Sequence, residues 1–95
     1  MKIYLAGAIT NNPDYEQQFN KAEDYLTSLG HTVVNPVKPS GFTYKEYIDM
    51  GLNELMRCDA IYMLNGWDGS DGANLEYIYA VTVGMKIFQD GERLE

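Results

Sequence analysis

Apolar positions along the chain switch between two periods. "KIYLA" (residues 2–6) is a short, nearly continuous apolar run ending at Gly7, the pattern of a strand covered on both faces. After "NNPD", Tyr15, Phe19, Ala22, Leu26 and Leu29 recur at spacings of three or four. That spacing predicts a first helix with Asn12 as N-cap, Pro13 at the first helical position and Gly30 at its close. "HTVVNP" predicts a second strand stopped by Pro36, and "VKPSGF" a loop. Thr43 and Glu46 in "TYKE" make a capping box ahead of Tyr47, Ile48, Gly51, Leu52 and Leu55, a second helix. "AIYML" predicts a third strand, "NGWDGSDG" a glycine-rich loop, "ANLEYIYAVTV" a third helix stopped by Gly84, and "MKIFQ" a fourth strand. "DGERLE" reads as a turn or frayed end.

Strands that alternate with helices through short connections imply right-handed crossovers and parallel pairing. The expected fold is therefore α/β: three layers, flavodoxin/Rossmann-like, with a four-stranded parallel sheet carrying helices on both faces. Ninety-five residues make one small domain, 1–95, with little stability to spare, so a homodimer or higher homo-oligomer is expected. In sheets of this kind ligands bind beyond the carboxyl ends of the strands, where the strand order reverses. Two stretches fall on that edge. "GAIT" after the first strand is small at Gly7 and Ala8 and lets a ligand approach the backbone. "NGWDGSDGAN" after the third strand leads into a helix whose first amides have no partner within the helix. Neither is a P-loop or a dinucleotide fingerprint.

Charge narrows the partners. A net charge of −7, with seven basic residues scattered along the chain, argues against a nucleic-acid polymer as ligand. No apolar stretch approaches the length of a membrane span, and the apolar start "MKIYLAGAIT" runs straight into "NNPD", so it reads as a strand rather than a secretory leader. One cysteine, Cys58, and one histidine, His31, make neither an internal disulfide nor a spaced metal-ligand set. A cytoplasmic protein without metal or cofactor is expected. Cys58 lacks an evident base partner and reads as an inert thiol, while His31 and Asp59 fall at the amino edge of the sheet and read as structural.

Glu76 is the residue that invites a chemical reading. It lies within the first two turns of the third helix, one turn before Ala80 and beside Ala73 on the close-packing stripe, so its carboxylate belongs at the edge of the buried face. Burial would raise its pKa and the helix N-terminus would lower it; the sequence leaves the sign open. A lone glutamate in such a place is ordinarily a solvated rim residue.

Taken together, "YLAGAI", "LGHTVVNP", "CDAIYMLNGW" and "SDGANLEYIYAVTVGM" resemble the nucleoside 2-deoxyribosyltransferase superfamily, and most closely its short phage and bacterial members. The superfamily includes the 2′-deoxynucleoside 5′-phosphate N-hydrolases, and the resemblance covers almost the whole chain. It implies a small-molecule nucleoside or nucleotide as ligand and cleavage or transfer at its N-glycosidic bond. Ser70, Gly72 and Glu76 occupy the family's S/D-x-G-x-x-x-E pattern, in which the glutamate attacks the anomeric carbon. A carboxylate suits that task because it stabilises an oxocarbenium-like transition state and can trap it as a glycosyl ester. Ser70 is similar to a serine that contacts phosphate in the 5′-phosphate hydrolases, whereas Asp71 beside it would repel a phosphate. Tyr4 resembles a family tyrosine near the nucleophile. Trp67 is placed to stack on a base or to meet another subunit. Phe42 and Tyr44 are placed to lid a nucleobase or to pack the start of the second helix.

The sequence departs from the pattern at the second acid. Family enzymes carry an aspartate on the second helix about two turns before "CDA", where this chain has Gly51; Asp49 lies two residues earlier, on a different face of the helix, and a shifted alignment would restore it as the second acid. Ala8 also replaces a common proline. Two readings follow: a glycosidic enzyme using Glu76 with Tyr4 and Asp49, or a module that binds a nucleotide or nucleotide-derived signal without cleaving it.

Overall fold

The computed structural model describes residues 1–36 and 41–92. Residues 37–40 of the "VKPSGF" connection and 93–95 of the tail lie outside the described residues. Four strands, β1 (Lys2–Ala6), β2 (Thr32–Val34), β3 (Ala60–Met63) and β4 (Lys86–Gln89), form one parallel sheet in the order β2-β1-β3-β4. Three helices connect them: α1 (Tyr15–Ser28), α2 (Tyr44–Leu55) and α3 (Asp71–Val83). The three-layer α/β arrangement is the one that the periodicity predicts. Among the described residues no helix is long and apolar enough to cross a membrane.

The pleat sorts the core into two halves. Ile3 and Leu5 of β1, with Ala60, Tyr62 and the following Leu64, pack on Phe19, Ala22 and Leu26 of α1. Tyr4 and Ala6, with Ile61 and Met63, face the other way and pack with Leu55 of α2 and Ala80 of α3. The side-chain parity of a five-residue strand thus directs the Tyr4 ring into the layer that holds α2 and α3. The chain leaves β1 toward β2 on the α1 side and returns past β1 to β3 on the other, so the strand order reverses between β1 and β3.

Local chemistry sets the helix ends. Both bonds of the capping box on α2 are formed, Glu46 N donating to Thr43 Oγ1 at 3.2 Å and Thr43 N to Glu46 Oε1 at 2.8 Å. Ser70 caps α3 by accepting from Ala73 N at 3.2 Å, and Gly84 ends that helix at φ 77°. Asn12, in contrast, does not cap α1. Its side-chain amide donates to Ala8 O at 2.9 Å and Gln18 Oε1 at 3.0 Å, tying down the connection, and the helix begins at Tyr15 with Asp14 at the cap position and Pro13 ahead of it. A single 3₁₀ turn over Trp67–Gly69 interrupts the glycine-rich loop.

Candidate active site

Beyond the carboxyl ends of β1 and β3 lies a cleft of about 790 Å³. Its floor is Tyr4 and Gly51, one wall is the start of α3 from Ser70 to Glu76, and the other is the turn after β1 with the first residues of α1. Asn11 in that turn adopts φ 60°, a left-handed conformation that asparagine tolerates better than most residues. Tyr44, Tyr47 and Ile48 of α2 complete the rim.

At the centre of the cleft the Tyr4 hydroxyl donates to Glu76 Oε2 at 2.5 Å. Tyr4 is 1% exposed, while Glu76 is partly buried with its carboxylate reaching the cleft. Burial is the main cause that lifts the Glu76 carboxyl from its ordinary 4.5 to about 7; the Tyr4 hydrogen bond opposes the rise, and like charge on Glu54, farther along α2, adds to it. The same causes act on the phenol, which burial, then the charge of Glu76, then the hydrogen bond drive far above the usual tyrosine range. Tyr4 therefore remains a neutral donor. Because the bond lowers the Glu76 pKa, Tyr4→Phe is expected to raise that pKa above about 7. A carbon-detected NMR titration of the Glu76 carboxyl checks this, and an unchanged or lower value would contradict the account of the pair.

Gly51 explains how the pair fits. A Cβ at this position would lie 2.7 Å from Glu76 Oε2 and 2.9 Å from the Tyr4 hydroxyl, so the two side chains occupy the space over a bare helix backbone. Gly72 is similarly close-packed, with Ile48 Cδ1 at 3.0 Å from where its Cβ would stand. Gly7, Ser70 and Gly72 join Tyr4 and Glu76 in lining the cleft.

Four further residues named from the sequence, Ala8, Phe42, Asp49 and Trp67, do not line the cleft. Asp49 is exposed on α2 and does not line the cleft; two positions along a helix turn its side chain well away from the Gly51 face. Trp67 stacks on Tyr77 with ring centroids 4.9 Å apart, and Ala8 spends its carbonyl on Asn12. Phe42 meets Tyr47 edge to face at 5.8 Å, whereas Tyr44 is exposed on the rim. At the amino edge Asp59 Oδ2 accepts from Lys2 N at 2.9 Å. The Cys58 thiol donates to Glu54 O at 3.3 Å, and burial pushes its pKa up, as befits an unreactive thiol.

The cleft also holds residues that the sequence reading passed over. Tyr15 and Glu16 enter from the first turn of α1, with the Tyr15 hydroxyl donating to Glu16 Oε1 at 3.2 Å. The only signal for them was position: the first turn of α1 begins on the same edge as "GAIT". Among the described residues no group of three or more His, Cys, Asp or Glu is placed to hold a metal ion.

Solved structures share the fold. A 2-deoxyribosyltransferase from Bacillus psychrosaccharolyticus superposes with a TM-score of 0.73 at 23% identity, over 100% of this chain and 77% of that one. The CMP N-glycosidase BcmB of Clostridium botulinum gives 0.70 at 18% identity, over 94% of this chain and 70% of that one. A 2-deoxyribosyltransferase from Leishmania mexicana gives 0.74 at 19% identity, over 93% of this chain and 62% of that one. At these identities the likeness establishes the architecture, and it is that of the nucleoside 2-deoxyribosyltransferases. No curated protein matches the sequence. The family model described as "Domain of unknown function (DUF4406)" matches residues 1–89, and the chain belongs to that family.

Proposed function

We propose that the cleft binds a nucleoside or nucleotide and that Glu76 cleaves or transfers its N-glycosidic bond. The observation that carries this reading is the Tyr4–Glu76 hydrogen bond, set in an open cleft at the point where the strand order reverses. The known activities of the fold's relatives, deoxyribosyl transfer and CMP N-glycoside cleavage, support it. In the first step one Glu76 oxygen attacks the anomeric carbon as the bond to the base breaks, and the base leaves with the bonding electrons. Tyr4 holds Oε2, which leaves Oε1 to face the sugar. Water then hydrolyses the glycosyl ester, or a second base accepts the sugar. Only the ionised carboxylate attacks, so the rate should rise with pH through about 7. The rim tyrosines offer aromatic faces to the base.

Chromatographic assay of free base from a panel of deoxynucleosides and their 5′-monophosphates, with and without an acceptor base, tests the proposal. Release that Glu76→Ala abolishes is the expected result; dependence on an acceptor separates transferase from hydrolase. One observation favours a second reading. Asp49 faces solvent and Gly51 carries no side chain, so the α2 acid expected from the family is absent from the cleft. Saturable binding of these ligands without any base release would establish a binding module in place of an enzyme.

A further inference from the structure

Breaking an N-glycosidic bond requires a destination for the bonding electrons. From an uncharged nucleoside the base leaves as an anion unless a proton reaches one of its ring atoms as the bond breaks, and a positioned acid that supplies it contributes about a hundredfold to ten-thousandfold in rate. Among the described residues that line the cleft, none is poised for that task. Glu76 must be ionised to attack, so it is not the acid of the same step. The Tyr4 proton is given to Glu76 and the Tyr15 proton to Glu16, and both phenols are held above the usual tyrosine range, Tyr4 chiefly by burial and Tyr15 chiefly by its hydrogen bond. Glu16 and Asp71 are exposed, and carboxyl groups in water have lost their protons at neutral pH. The rim also carries Tyr44 and Tyr47, but phenols in general are far weaker acids than carboxylic acids and give up a proton poorly near neutral pH. No lysine, arginine, histidine or cysteine is among these lining residues. On α2 there is no room for an acid either, since a Cβ at Gly51 would already stand 2.7 Å from Glu76 Oε2.

A ring that already bears a positive charge removes the need for that proton. We propose that the substrates of the cleft are N-glycosides whose leaving ring is cationic, a pyridinium or an N7-alkylated purinium, and that Glu76 cleaves them without an acid partner. This rests on the glycosidic reading of the cleft and adds to it the charge of the leaving group. As one Glu76 oxygen bonds to the anomeric carbon, the carbon–nitrogen bond breaks and both of its electrons pass to the ring nitrogen. The positive charge is cancelled and the base departs neutral. Water then adds to the anomeric carbon, Glu76 leaves as a carboxylate, and one proton passes to solvent.

The lining suits such a ring. Tyr15 from α1 and Tyr47 from α2, both half-buried, and the exposed Tyr44 offer aromatic faces, whose negative quadrupole attracts a cation. Burial disfavours the negative charge on Glu76, and a cationic ring within about 4–6 Å favours it, so the substrate itself draws its nucleophile into the attacking form. The overall charge of −7 assists the approach of cations. The bare helix at Gly51, which favours a binding module when the ligand is an ordinary nucleoside, is no deficit for a leaving group that needs no proton.

The test is an assay of free base near neutral pH from two cationic compounds, nicotinamide riboside and 7-methylguanosine, beside the uncharged comparators uridine and guanosine, all four also as their 2′-deoxy forms. Each rate is divided by that of the same compound in buffer alone, because cationic rings leave faster unaided. Binding of the same compounds is read by calorimetric titration at low and high salt. For at least one cationic ring the ratio of catalysed to uncatalysed rate is expected to exceed that of its comparator by about a hundredfold or more, and to be lost in Glu76→Ala. Tighter binding of the cation, by a margin that salt narrows, should accompany it. Which of the two rings responds tells a pyridinium site from a purinium one. The comparison of substrates needs only the wild type, so it survives a variant that fails to fold. Uncharged nucleosides cleaved with an equal or larger ratio would overturn the assignment and leave the glycosidic reading standing. Preferential binding of the cations without base release would do the reverse, and the absence of both binding and release would end both.

Discussion

Glu76→Gln is expected to make the protein more stable at pH 8 while removing its activity. The carboxyl is raised in the fold from 4.5 to about 7, chiefly by burial. Below about pH 4.5 both folded and unfolded chains hold the proton, and the site costs nothing. As pH rises through 4.5 the unfolded chain ionises first, so stability falls until the folded carboxyl ionises near 7, and the full penalty persists above that. The rise corresponds to about 3 kcal/mol. Glutamine has the same shape, still accepts from Tyr4 and does not titrate. The variant should therefore match the wild type near pH 4.5 and exceed it by about 1–3 kcal/mol at pH 8, a gain of several degrees in melting temperature for a chain of this size. Base release should fall by about a thousandfold or more, as loss of a nucleophile does. Thermal melts across pH 4 to 9, set beside the release assay, check both halves. A variant less stable than the wild type at pH 8 would mark Glu76 as a residue kept for folding.

Substitutions at Gly51 should damage the site more than the helix. On an exposed helix face Gly→Ala stabilises by about 1 kcal/mol. Here the new methyl would press on Glu76 Oε2 and the Tyr4 hydroxyl at 2.7 and 2.9 Å, and overpacking of that kind costs about 1–3 kcal/mol. Gly51→Ala should accordingly range from neutral to about 2 kcal/mol less stable, with base release reduced by about tenfold to a hundredfold as the pair is pushed from its alignment. Gly51→Asp goes further, because it introduces a like charge against Glu76 and raises its pKa again. It is expected to be inactive, although aspartate at this place is what the family resemblance leads one to look for. An aspartate variant more active than the wild type would show that the cleft has room for a second acid, and would favour the reading of the natural chain as a binding module. Melting curves and initial rates on the two variants give the answer.

These two positions also show how far the sequence could be read. The apolar run "KIYLA" and the period of α3 were enough to place a strand end and a helix start at one edge of the sheet, whereas Tyr4 was set near Glu76 by the family resemblance; the strand's parity then explains why the pair meets. The sign of the Glu76 shift did not follow. It depends on whether burial outweighs the helix N-terminus, and Glu76 lies in the second turn, past the reach of the dipole but under the packing of Tyr4 and Gly51. Gly51 as the floor of the site was equally hidden, since a glycine in a helix reads as a missing acid until the side chains above it are seen. Trp67 looked available for stacking, yet its neighbour Tyr77 takes that face. Asn12 has the right chemistry for a cap, but its amide is drawn back to Ala8 O and onward to Gln18, and the helix start moves with it. Such competitions between nearby partners are settled by the path of the chain, which periodicity does not encode.

Every strand pair in this sheet is parallel, so no two paired strands can be joined by a tight turn, and each pairing waits for a whole crossover to close. The Tyr4–Glu76 bond spans 72 positions, and its two ends belong to the first strand and the last helix. Loop closure over such separations makes folding slow and leaves little to be gained by partial assembly. A chain that has paired β1 with β2 but not yet docked α3 has no cleft at all. The carboxyl of Glu76 would then titrate as in an unfolded peptide. In a refolding experiment its protonation is therefore a clock hand that moves last, marking the arrival of the native state and not of any stage before it.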